Sequence, residues 1–221
     1  MREPSMTADR LSTFSDGVIA VIITIMVLEL KAPDGSALAD LLPLWPTAIS
    51  YAVSYLFIAI IWVNHHHLLR FVRQPTPRLI WLNFVHLFAV SLLPFATAWV
   101  ARSHLAPAPV ALYAAIFFLV DLAYLAFERA VFAQADCSSM PDRLRKHAQT
   151  RTLVAIAIFA GAAVASPFMP LPGFGLVCCA LILYLSPEAI NRRAALLSGA
   201  EAAPAGQNAQ PPGNHNLQNI I

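Results

Sequence analysis

Polar side chains are scarce in this chain, and those that could do chemistry fall in four places. Asp16 stands in Phe14-Ser15-Asp16, at the mouth of the apolar run Arg10 to Lys31 (RLSTFSDGVIAVIITIMVLELK). His65, His66 and His67 follow Trp62-Val63-Asn64, Asn83 and His86 precede Pro94-Phe95, and Asp121 and Glu128-Arg129 share a later apolar run. Charged and imidazole groups at membrane depth are costly, so they face protein or water and mark functional elements. Three kinds of chemistry are open to them: proton carriage, metal ligation, or a hydrogen-bonded network that fixes one helix against others. Adjacent helical residues do not share a face, so the histidine run cannot give three ligands to one ion, and no fixed metal site is expected. His66 and Arg70 lie one turn apart and read as a surface pair. The remaining set suggests a network joining Arg10, Ser15 and Asp16 of the first helix to Trp62, His65 or His66, Asn83 and His86. Asp121 is expected to bond within its own subunit. No paired carboxylates or metal spacing support an enzyme, and no cofactor is implied.

The elements that position these groups are membrane helices. Hydrophobic residues make up 58% of the 221 and charged residues 12%, against roughly a quarter charged in soluble domains. A formal charge of +2 gives no reason to expect nucleic acid. A bilayer core about 30 Å thick requires about 20 apolar helical residues. Six segments meet or approach that length: 10–31, 45–69, 78–101, 109–132, 150–168 and 172–190. Pro33-Asp34-Gly35, Pro75 with Pro77, Pro107 with Pro109, and Pro167, Pro170, Pro172 and Gly173 supply the turns between them. Pro94 should kink the third span, and the fifth helix has room to begin near Pro141-Asp142. The first helix lacks the small-residue cleavage site of a signal peptide and reads as a retained span. Residues 1–195 thus form one all-α, six-helix membrane domain. Residues 196–221, rich in Ala, Pro, Gly, Asn and Gln, read as a disordered cytoplasmic tail. Cys137, Cys178 and Cys179 give no disulfide framework.

Cations set the orientation. Of the 14 Lys and Arg residues, only Lys31 and Arg102 fall on one side, and the remaining twelve fall on the other. This puts both termini in the cytoplasm and fits an even number of spans. A re-entrant hairpin formed by the last two segments gives the same asymmetry.

Within the first helix, at about 100° per residue, one stripe gathers Gly17, Val21, Thr24, Ile25 and Leu28, and Asp16 falls about 140° away from Val21. Such a stripe suits a narrow apolar passage with one hydroxyl ring, which can exclude hydrated ions or strip water from them. One helix cannot enclose a passage, so several copies in closed rotational symmetry are required. Gly173-Phe174-Gly175 superficially resembles the core of a carbonyl potassium filter. It lacks a preceding Thr-Val and a pore helix, and it sits in a Pro-rich turn.

The run Arg10-x-x-x-Phe14-Ser15-Asp16-Gly17, continuing to Thr24, Leu28 and Glu29, resembles the first-helix signature of the transmembrane-protein-175 family of potassium channels. Trp62-x-x-His65-His66 and Asn83…Pro94-Phe95 also fit. The short, single six-span unit is similar to the bacterial branch of that family. The likeness covers residues 10–101, and the last three helices agree in number and hydropathy only. The resemblance implies a homotetramer in the plasma membrane with a first helix from each subunit around the axis. It implies potassium as the permeant ion and a constriction at Val21, Ile25 and Leu28, with Thr24 as a hydroxyl ring. Arg10, Phe14, Ser15 and Asp16 then act as a structural and gating element. Val21 departs from the family pattern, which has Ile or Leu there, so this layer should be wider and less selective. The alternative is a proton-coupled secondary transporter using Asp16, His86 and Asp121 as carriers. It predicts saturable, pH-gradient-driven flux where a channel predicts unitary currents.

Overall fold

The computed structural model describes residues 7–72, 74–134, 142–182 and 184. All of these belong to the first structural unit of the chain, Met1–Leu185. The tail at 196–221 lies outside the described residues.

Every regular element among the described residues is helical. Helix α1 (Ala8–Val27) begins at Thr7, whose hydroxyl oxygen accepts the Arg10 N–H at 3.3 Å and satisfies one free donor of the first turn. A 3-10 helix (Leu38–Leu44) leads into α2 (Trp45–Leu69), with Pro46 in its first turn, where no N–H is missed. Helices α3 (Pro77–Ser91) and α4 (Leu93–Arg102) form one interrupted span. The break falls at Leu92, two residues before Pro94, whose ring and missing N–H disrupt the preceding turn. His104 and Leu105 then take left-handed backbone conformations, φ 51 and 61. The Leu105 N–H returns to the Val100 carbonyl at 3.1 Å and closes the end of α4. Helix α5 (Pro107–Gln134) is the longest, and α6 (Asp142–Ala165) begins where Pro141-Asp142 suggested. Helix α7 (Pro170–Ile182) follows a tight turn. A side chain on Gly173 would collide with Ser166, whose hydroxyl bonds back to the Ala162 carbonyl at 2.6 Å.

Among the described residues, five stretches are long and apolar enough to cross a membrane: Ala8–Val27, Leu38–Leu69, Pro77–Arg102, Pro107–Gln134 and Ala148–Ala165. The sixth expected span, 172–190, is a shorter apolar helix over its described length, and 183 and 185–190 lie outside the described residues.

Helix α5 is the hub, packing on α3, α4 and α6, while α1 lies against α2, α3 and α4. Phe57 stacks on Phe117 at 4.0 Å, and Phe159 meets both edge-on at 5.7 and 5.4 Å. Such aromatic pairs contribute about 0.5–1.5 kcal/mol each beyond area burial. Hydroxyls inside this packing satisfy one another: Ser54 bonds both Thr97 and Tyr113 at 2.7 Å. Unpaired polar atoms would be costly at this depth.

Candidate functional site: the two faces of the first helix

One face of α1 is buried and the other is bare. Leu11, Ser15, Ile19, Ile22 and Met26 pack into the protomer. Gly17 and Thr24 are exposed, as are Val21 (55%), Ile25 (46%) and Leu28 (76%). The stripe read from the helical angles is therefore the outward face of the helix. Leu28 sits at its C-cap. Val21 and Leu28 are about 10 Å apart along the axis at 1.5 Å per residue. The Thr24 hydroxyl donates to the Val21 carbonyl at 2.8 Å, which leaves its oxygen lone pairs on the bare face.

The buried face is held by a polar chain near the start of the helix. Asn83 of α3 donates from Nδ2 to the Ser15 hydroxyl at 3.0 Å, and its Oδ1 lies 2.7 Å from His65 Nε2. Ser15, Asn83 and His65 are all fully buried. Ser15 also donates to the Leu11 carbonyl at 2.8 Å. On the flank, Trp62 Nε1–H donates to Asp16 Oδ1 at 2.8 Å, and the Ser12 hydroxyl reaches the other carboxylate oxygen at 3.5 Å. Phe14 meets Phe84 edge-on at 5.5 Å.

The histidines separate as their spacing requires. His65 points inward, parallel to His86 at 5.8 Å and to Phe127 at 5.3 Å. His86 is fully buried beside Tyr124. His66 turns to Trp62 (5.7 Å) and to Arg70 (3.2 Å). Of the residues expected in one network, Ser15, Asn83, His65 and His86 therefore meet in the interior, and Asp16 and Trp62 pair beside them. His66 takes the surface role. Arg10 is exposed, and its backbone N–H donates to the Thr7 hydroxyl.

Asp121 accepts a hydrogen bond of 2.8 Å from Tyr184, within the subunit. Arg151 lies over the Tyr184 ring at 5.1 Å and donates to Asn64 at 3.1 Å, one residue from His65. Sequence reasoning missed this cluster, which ties α2, α5 and α6 together. Its signal was available: Arg151 stands at the start of an otherwise apolar run, and buried guanidinium groups need partners. A second missed pair is Arg102 with Glu29, which joins the far end of α1 to α4 at 2.5 Å. It is largely exposed, and such pairs contribute about 0–1 kcal/mol.

The chemistry this arrangement supports is non-covalent. A bare apolar helix face with one hydroxyl position is braced from behind by hydrogen bonds, so it presents a fixed oily wall to whatever lies opposite.

A family model described as the endosomal/lysosomal potassium channel TMEM175 matches residues 10–94. A potassium channel of Chryseobacterium sp. (strain P1-3) is 36% identical over 185 residues, covering 83% of this chain and 95% of the relative. The human endosomal/lysosomal proton channel TMEM175 is 32% identical over 108 residues, 43% of this chain and 21% of the relative. Among solved structures, the lysosomal potassium-selective channel TMEM175 homolog from Chamaesiphon minutus has the same fold. Its TM-score is 0.71 at 24% identity, over 80% of this chain and 95% of that one.

Proposed function

The chain belongs to the TMEM175 family, and from that premise we propose that it is a potassium-selective channel that passes K+ down its gradient without covalent chemistry. It works as a homotetramer in the plasma membrane, with both termini cytoplasmic. The first helix of each subunit lines a central passage, and Val21, Ile25 and Leu28 form the constriction with a Thr24 hydroxyl ring between them.

The observation that carries this reading is the exposure of the whole stripe from Gly17 to Leu28 on a helix whose opposite face is buried. Apolar side chains facing one another across an axis leave no polar ligand to replace an ion's full water shell. Passage then depends on partial dehydration, which favours K+ over the more tightly hydrated Na+. Arg10, Phe14, Ser15, Asp16, Trp62, His65, His66, Asn83 and His86 surround the cytoplasmic half of the helix, where they set its tilt and rotation. Asp16, His86 and Asp121 have different partners. That separation favours the channel over a transporter that hands a proton from one of them to the next.

The test is reconstitution of the purified protein in planar bilayers, with potassium on one side and sodium on the other. Unitary currents reversing near the potassium equilibrium potential are expected. Saturable, pH-gradient-driven flux without unitary currents would overturn the proposal.

A further inference from the structure

The bare face of α1 ends in a charge. Glu29 follows Leu28, and its N–H reaches the Met26 carbonyl at 3.2 Å, so the last turn carries it just past the exposed stripe. Its carboxylate accepts a hydrogen bond from Arg102, at the end of α4. Gly17, Val21 and Ile25 of the stripe line a groove of about 940 Å³ between α1 and α4. Among the described residues, the only charged groups lining that groove are Glu29 and Arg102. The pair stands about 6 Å along the axis beyond Ile25, at 1.5 Å per residue.

Both charges remain in contact with water. The Arg102 side chain is 66% exposed and that of Glu29 is 34% exposed. Lys31 and His104 join them around an adjoining pocket of about 220 Å³. Asp34 and Asp40 follow in the same connection, but neither lines the groove or the pocket, and Asp40 accepts the Ala37 N–H at 2.9 Å. Glu29 is therefore the acid that borders the stripe. An exposed pair adds little to stability. Charge at the mouth of a passage acts on the ion instead, because low-dielectric walls focus its field. Rings of acidic side chains gather cations in this way.

We propose that Glu29 and Arg102 form the electrostatic mouth of the passage. Glu29 is the group that collects cations, and Arg102 is a positioning residue that holds Glu29 and cancels its charge. The inference rests on the pore reading of α1, which repeats each mouth charge once per copy around the axis. With the pair intact the mouth is close to neutral and K+ enters near its bulk concentration. Removing the cation leaves a ring of carboxylates, and removing the acid leaves a ring of guanidinium groups. The field reaches about 10 Å at 0.1 M salt and about 3 Å at 1 M, so the effect belongs to low ionic strength. It acts on K+ and Na+ alike, since both carry one charge, and leaves selection between them to the apolar layers.

The test is unitary K+ conductance of the full-length protein in planar bilayers, at about 0.1 M and about 1 M KCl. At the lower salt R102Q should raise conductance by up to about tenfold, the low end of the enrichment that a cleft of one sign gives its counter-ions. E29Q should lower it. The double variant E29Q/R102Q and the conservative R102K should both stay near the unsubstituted protein. All should converge at the higher salt, and none should move the reversal potential between potassium and sodium. A purely structural pair predicts shifts of one sign for E29Q and R102Q that persist at high salt, and that result would overturn the proposal. So would an unchanged conductance in both single variants, which would put the pair off the conduction path. Either result, with K+-selective unitary currents intact in the unsubstituted protein, overturns the mouth and leaves the channel reading standing. Absence of unitary currents from the unsubstituted protein would overturn both.

Discussion

Trp62 donates its indole N–H to the Asp16 carboxylate at 2.8 Å, across 46 residues of sequence. The bond pins α1 to α2 beside the start of the exposed stripe. Its geometry sets how α1 is rotated, because Asp16 and Val21 lie about 140° apart around the helix. A hydrogen bond to a charged group contributes about 1.5–3 kcal/mol. Trp62→Phe should therefore lower the unfolding midpoint of the detergent-solubilised protein and broaden its distribution of oligomers. Asp16→Ala should do the same and disturb assembly or gating. The double variant should be little worse than either single one, which a double-mutant cycle by thermal unfolding measures. Fully additive losses would show that the two residues act independently.

Asn83 has the larger structural role, because it serves two partners at once. Asn83→Ala leaves both the Ser15 hydroxyl and His65 Nε2 without that partner inside the protein. His65 Nε2 is orphaned, at about 1–3 kcal/mol, and Ser15 keeps only its bond to the Leu11 carbonyl; both are fully buried while Trp62 is 41% exposed, so this substitution should destabilise more than Trp62→Phe. Ser15→Ala, which removes one partner and leaves His65 paired, should fall below it. The ranking of the three by thermal unfolding in one detergent is the check. Asn83→Ala as mild as Ser15→Ala would refute the bridging role.

Tyr184→Phe removes the donor to a buried carboxylate while keeping the ring beneath Arg151. The loss should be about 1–3 kcal/mol. In an Asp121→Ala background the same change should be nearly silent, because the acceptor of the bond is already gone. Equal losses in both backgrounds, by thermal unfolding, would place the role of Tyr184 in packing alone.

The helices were legible in the sequence because their signals are local. Apolar length marks the spans, proline marks the breaks, and a period near 3.6 gathered Gly17, Val21, Thr24, Ile25 and Leu28 on one stripe away from Asp16 without any tertiary knowledge. Pro94 announced the interruption at Leu92 in the same way. The partners across helices were less legible. Asp16, Trp62, His65 and Asn83 could be grouped by depth, yet nothing local decides that His65 turns inward while His66 turns out to Arg70. That choice depends on where α3 presents Asn83. Arg151 alone flags a cation that needs partners, but those partners, Tyr184 and Asn64, lie more than thirty positions away, and nothing local points to them. Gly17, Val21, Thr24, Ile25 and Leu28 are all exposed in one protomer, on the single face the helical angles gathered.

The stripe itself yields two predictions with opposite signs. Ile25→Ala and Leu28→Ala remove bulk from the bare face, and in the proposed pore they widen the passage and let hydrated Na+ through. The reversal potential with potassium and sodium on opposite sides should then move toward zero.

Val21→Ile adds one methylene at the layer where this chain has the smaller side chain. Four copies around an axis would narrow the ring at four points, so dehydration there becomes more demanding for Na+ than for K+. A single methylene in a preformed apolar site discriminates by about tenfold at the low end, and a flexible ring should give no more than that. The potassium-to-sodium permeability ratio should therefore rise by up to about tenfold while unitary conductance falls. If Val21 faced acyl chains instead, the extra methylene would leave both quantities unchanged, because it would only lengthen a contact with lipid. A conductance that drops with no change in reversal potential would put Val21 in the conduction path and the selective step elsewhere along the helix.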